Sequence, residues 1–185
     1  GECFEVVYHY FRLRYSEVPV LFRCYSMGWY WVFSHQLEQA HAFAEKVVAS
    51  LAREQAAVLV CSAHAIKLVA YGLQNQLAAV RHEIEQVEDG LMNHPLWDST
   101  SNSDMRFLID FSLVLGYTLL DQCDVALGFL RNLAKSGRLD HPVYFTWLAP
   151  ILALWASKLG AAQLAQSLYR FHRASFLRHA EWARQ

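Results

Sequence analysis

The chain has 185 residues, 55% of them hydrophobic and 18% charged, with a formal net charge of −1. That length supports one domain with a real core, and the near-neutral balance gives no electrostatic footprint for nucleic acid. The charged share falls below the roughly 25% usual in soluble domains. Either a partner, another subunit or flanking sequence covers part of the surface, or the helices bury one another unusually well. A four-hairpin array has little interior, which favours the covered surface.

Residues 3–14, CFEVVYHYFRLR, place Phe4, Val7, Tyr8 and Phe11 on one helical face. They predict a leading helix, the second helix of an earlier repeat, so the chain reads as cut from a longer array. Glu2, Glu5, Arg12 and Arg14 interrupt this stretch, so no secretory signal is expected in it. The four cysteines, Cys3, Cys24, Cys61 and Cys123, are dispersed with no CxxC. They read as reduced and buried, which fits a cytoplasmic protein.

A first hairpin is expected over residues 17–53. Ser16 offers a cap, with Glu17 in the first turn and Pro19 where proline is tolerated. The helix to about Phe33 is crowded with rings: Phe22, Tyr25, Trp29, Tyr30, Trp31 and Phe33. Gly28 inside it costs about 1 kcal/mol against alanine and is expected to admit a neighbouring helix. Ser34 and His35 turn the chain. Leu37, Ala40, Phe43, Ala44 and Val47 then come at helical steps.

The second hairpin spans residues 55–89, with Asn75 at its turn. Glu83, Glu85, Glu88 and Asp89 make its far end acidic. A helix C-terminus prefers cations, so fraying near Gly90 is expected. Residues 93–103, NHPLWDSTSNS, form a polar loop holding Pro95 and Trp97, and Ser103 caps the next helix. Trp97 either tucks between hairpins or stands out as a contact point. The third hairpin covers residues 104–136, with Asp121 and Asp124 opening its second helix.

The fourth hairpin covers residues 141–183. Pro142 stands near the first helical position, and residues 143–157 are apolar nearly all round, which predicts burial on more than one side. Pro150 should kink that helix. At 15 residues before Lys158 the run is too short for a membrane span, which needs about 18. Gly160 turns the chain into a last helix with a basic end, read as a solvated face.

These hairpins repeat. Ala40, Val80, Ala126 and Ala165 stand at equivalent places, separated by 40, 46 and 39 residues. Four further on come Ala44, Ile84, Leu130 and Tyr169, and three beyond that Val47, Val87, Leu133 and His172. A ring stands four residues before the turn at Trp31, Tyr71 and Tyr117, where the fourth copy has Ala156. Recurrence in this range marks a stacked array of helical hairpins.

Catalytic motifs are missing: the chain has no phosphate loop, GxGxxG, GxSxG or HExxH. His35 and His41 are six apart and His172 and His179 seven apart, whereas ligands on one helix usually stand about three or four apart. No metal and no cofactor is expected. His64 on an apolar helix reads as a satisfied core group. Asp110 holds the matching place one hairpin on, and is expected to pair with Arg106 at the i, i+4 step. The best binding candidates are Phe22, Tyr25 and Trp29, on one stripe of a first helix, with Asp110 and Trp147 further out. First helices line the concave face of such arrays, although packing against the next helix would also account for the rings.

The ring before the turn, the alanine five residues after it and the apolar residues beyond resemble the tetratricopeptide repeat. Stretches such as LFRCYSMGWYWVFSHQLEQAHAFAEKVV and LVAYGLQNQLAAVRHEIEQV are similar to helical-repeat regions of bacterial signal-transducing ATPases and transcription activators of the maltose-regulon activator type. The likeness covers about residues 17–175, and the helices here are longer than the motif's. It implies a cytoplasmic, non-catalytic region that binds an inducer or a partner.

The expectation is therefore an all-α, right-handed stack of antiparallel hairpins with about eight or nine helices. It would hold a protein segment or small effector in a concave groove, within a larger regulator, without nucleic-acid or membrane contact. The alternatives are a homo-oligomerisation module, or an all-α enzyme with a buried site at His64 and Asp110.

Overall fold

A computed structural model describes residues 20–50, 57–92, 103–135 and 142–182. These form eight helices: α1 (Val20–Phe33), α2 (Leu37–Ser50), α3 (Ala57–Leu73), α4 (Leu77–Met92), α5 (Ser103–Leu119), α6 (Cys123–Lys135), α7 (Pro142–Lys158) and α8 (Ala162–Trp182). Among the described residues there is no strand. The expected leading helix 3–14 lies outside them, as does Trp97.

All four hairpins close through one turn. His35, Asn75, Asp121 and Gly160 have φ of 61°, 57°, 60° and 76°, the left-handed conformation that ends many helices. The next residue then donates its N–H across six residues to the carbonyl before the turn. These bonds are Gln36 to Trp31 at 2.7 Å, Gln76 to Tyr71 at 2.9 Å, Gln122 to Tyr117 at 2.9 Å and Ala161 to Ala156 at 2.8 Å. A shorter bond lies inside each, such as His35 N–H to Val32 at 3.1 Å and Asn75 N–H to Gly72 at 3.1 Å. This is the Schellman arrangement. The ring that the sequence repeats before each of the first three turns sits on the residue whose carbonyl accepts the long bond. Of the four turns, the last uses glycine, which meets no steric cost at positive φ.

The hairpins stack in chain order. Within each, the two helices pack together; α1 lies on α3 and α3 on α5, while α2 meets α3, α4 meets α5 and α6 meets α7. Phe111 on α5 stacks on Trp155 of α7, ring centroids 5.0 Å apart. In the first three hairpins the repeat register is the burial register; in the fourth it is not, since Ala165 is half-buried and Tyr169 61% exposed, while Leu168 is buried. Ala40, Ala44, Val80, Ile84, Val87, Ala126, Leu130 and Leu133 all belong to the core.

Gly28 lets the first two hairpins close up: a Cβ there would lie 2.5 Å from Cδ1 of Ile66 on α3 and 3.2 Å from the Phe43 ring on α2. Two local expectations need correction. The acidic end of α4 does not fray at Gly90, since the helix continues to Met92; Glu83 is buried and Glu88 accepts a hydrogen bond from the Tyr117 hydroxyl, so neighbours compensate this charge. α7, as expected, is covered on more than one side: Ala149, Leu152 and Ala156 belong to the core and Trp155 stacks on Phe111, while Leu154 is 55% exposed. Cys123 is half-buried rather than buried; Cys61 is buried, and both are free thiols. No described helix is long and apolar enough to cross a membrane.

Candidate functional site

The repeat plan fixes what each position should hold, and the second hairpin breaks it twice, at Glu83 and Lys67, and adds His64 at a place where the third hairpin also buries a polar group. Glu83 on α4 stands where the other copies have Phe43, Phe129 and Leu168. Lys67 on α3 stands where they have Met27, Leu113 and Leu152, and His64 where they have Cys24, Asp110 and Ala149. In the first and third hairpins the phenylalanine packs on the ring before the turn: Trp31 with Phe43 at 5.4 Å, Tyr117 with Phe129 at 5.9 Å. In the second, a carboxylate takes that ring's place.

The charged residues meet. His64 donates from Nδ1 to Oε2 of Glu83 at 2.7 Å. Lys67 donates from Nζ to Oε1 of Glu83 at 2.9 Å, so each carboxylate oxygen holds one donor. The same ammonium reaches Oε1 of Glu45 on α2 at 2.5 Å. His41, one turn before Glu45, lies 3.8 Å from that carboxylate. Its ring shares a hydrogen bond with the Tyr71 hydroxyl and stands edge-on to the Tyr71 ring at 5.0 Å. His64, Lys67 and Tyr71 fall at steps of three and four on α3, one stripe of that helix. The stripe floors a seam between α2 and α4.

Burial grades along this seam. Glu83 is 2% exposed, His64 5% and Lys67 8%, whereas the Glu45 side chain is 50% exposed. Burial alone would push the Glu83 carboxyl up, but the hydrogen bonds from His64 and Lys67 outweigh it and hold it below the usual carboxylate range. The hydrogen bond from Lys67 holds Glu45 low as well. Burial works against the Lys67 charge, yet bonds to Glu45 and Glu83 raise its pKa above the ordinary lysine value. The Lys67 ion pairs are therefore charged at neutral pH. Because a carboxylate only accepts, Nδ1 of His64 must carry hydrogen. Nε2 on the far side of the ring is buried with no hydrogen-bond partner among the described residues.

Such a cluster is expensive to fold. Moving charges out of water costs several kcal/mol per ion, and apolar replacements of similar volume are often neutral or stabilising. The other hairpins show that this position accepts apolar residues. A costly departure in one copy of a repeat marks a place kept for something other than stability.

The residues singled out from sequence fall elsewhere. Trp29 is 3% exposed and stacks on Phe33 within α1, centroids 5.8 Å apart, so its ring belongs to the core. Phe22, Tyr25 and Trp147 lie in α1 and α7, and their side chains fall outside the described set. Asp110 is buried and accepts from Nε of Arg106 at 2.9 Å, the expected i, i+4 pair. His64 is indeed a core histidine, but its partner is Glu83, which the sequence grouped with Glu85, Glu88 and Asp89 in the acidic end of the hairpin. Glu45, Lys67, His41 and Tyr71 drew no notice as a group. The signal lay in the aligned copies, where Glu83 falls under Phe43 and Phe129.

Cys61 adds no nucleophile. Burial pushes its thiol up to about 12, and it points at the Val87 carbonyl at 3.5 Å; a reactive cysteine needs a thiolate. Comparison of the chain with protein-family models, curated sequences and solved structures finds no match. By architecture, the chain is an all-helical stack of hairpin repeats with an ionic seam in its second copy.

Proposed function

We propose that this chain is a non-catalytic binding module of the tetratricopeptide-like kind, holding a protein segment or a small effector as part of a larger cytoplasmic regulator. One observation carries the reading: four hairpins share a turn and a register, and the second exchanges its apolar contacts for a buried ionic cluster. Repeats of this sort present a continuous surface made of equivalent helix faces, and the odd copy supplies specificity. The buried groups argue against catalysis: the imidazole of His64 is tied to Glu83 and enclosed, and the nearby Cys61 thiol is held protonated. The low charge of the chain fits a surface partly covered in the working assembly.

Sedimentation velocity on the purified chain, with quantitative capture of partners and a thermal-shift screen of small effectors, tests this. A monomer that binds a partner, or whose melting temperature rises with an effector, supports the module. A stable dimer with neither property overturns it in favour of self-association.

A further inference from the structure

We infer that the outer end of the seam between α2 and α4 is a carboxylate-binding site, occupied in this structure by the protein's own Glu45. The inference rests on the binding-module reading and locates its contact.

Lys67 has three N–H donors. One is held inside by Glu83 and another points outward to Glu45. The inner pair fixes the ammonium: Glu83 is enclosed and its second oxygen is held by His64. The outer pair is different. The Glu45 side chain is half-exposed on a helix surface, and its partners are Lys67 at 2.5 Å and His41 at 3.8 Å. Water competes for the half-exposed Glu45, whereas buried Lys67 keeps Glu83 as its counterion when Glu45 leaves. Glu45 can therefore swing into solvent at small cost while Lys67 stays in place. What remains is an anchored ammonium at the floor of a seam, with the His41 ring and the Tyr71 hydroxyl beside it. Lys67 is the donor that holds the carboxylate already sitting there, while His41 lies 3.8 Å from it and shares a hydrogen bond with Tyr71. A ligand carboxylate makes the same bonds, and its affinity is set by competition with Glu45. The shared chemistry is a carboxylate, whether carried by a small acid or by an acidic residue of a protein segment.

The test is NMR titration of the full chain, tracking the Lys67 and Glu45 amides and the His41 and Tyr71 rings. The probes are succinate and the blocked peptide acetyl-Ala-Glu-Ala-amide. Glu45→Gln removes the internal competitor and leaves Lys67 paired with Glu83. It is expected to bind at least one probe about fivefold more tightly than the parent, the modest gain from removing a half-exposed competitor. Succinate alone would mark a small effector, and the peptide alone a protein segment; either supports the site. The triple variant His64→Ala/Lys67→Leu/Glu83→Phe restores residues found in the other hairpins, keeps a folded stack and should lose these shifts. Shifts that persist in the triple variant, or no seam shift in Glu45→Gln with either probe, overturn the site. A seam that binds neither probe while partner capture persists would overturn the site and leave the binding module standing.

Discussion

Nδ1 of His64 and Oε2 of Glu83 lie 2.7 Å apart across the α3–α4 interface, and both residues are buried. The pair is one half of a cluster, because the other oxygen of Glu83 faces Lys67 at 2.9 Å. Glu83 thus compensates two buried groups on the facing helix.

Glu83→Leu should therefore be severe. It strands Lys67 and His64 in a low-dielectric seam, a loss of about 3–5 kcal/mol. The triple variant His64→Ala/Lys67→Leu/Glu83→Phe removes all three polar groups, and its stability should return to that of the parent or exceed it. Urea unfolding monitored by circular dichroism measures both. A triple variant as unstable as Glu83→Leu would show that the cluster stabilises the fold.

The cluster also sets the pH range of stability. The folded pKa values of Glu83 and Glu45 lie below the ordinary carboxylate value of 4.5. Their contribution is complete above that value and is lost as pH falls through the depressed folded values. Lys67 is raised above 10.5, so its contribution is complete below that value and is lost as pH rises through the raised folded one. Melting temperature plotted against pH should fall at the acid end for the parent and less steeply for the triple variant. Parallel curves would contradict this.

The shared turn predicts opposite outcomes at equivalent positions. Gly160 has φ of 76°, so Gly160→Ala should cost about 1 kcal/mol, the strain of a side chain in the left-handed region. His35 already bears that strain at φ of 61°. His35→Gly relieves it but loosens the unfolded chain, leaving a net gain of about 0.5 kcal/mol. Thermal unfolding of the two variants checks the signs.

Trp29→Ala tests the core against the groove. With Trp29 3% exposed and part of the hydrophobic core, truncation should cost about 3–5 kcal/mol. Unfolding at a much lower urea concentration is expected. Unchanged stability with weakened binding would return Trp29 to a surface role.

The all-helical class, the four hairpins, their turns at His35, Asn75, Asp121 and Gly160, and the buried positions after the first three turns were legible in the residues alone; after the fourth, Tyr169 is 61% exposed and Leu168 is buried instead. These are local matters: helical periodicity and the left-handed residue act within a few positions of the chain. The Arg106–Asp110 pair was legible for the same reason, since a spacing of four fixes contact on one helix. The packing of helix on helix settled that Trp29 is core and that Glu83 is buried rather than part of an acidic end. It also joined Glu45, Lys67 and Glu83, which come from three different helices. Periodicity names the face a residue occupies on its own helix but not what lies opposite, and a carboxylate is a surface charge or a buried anchor according to that neighbour.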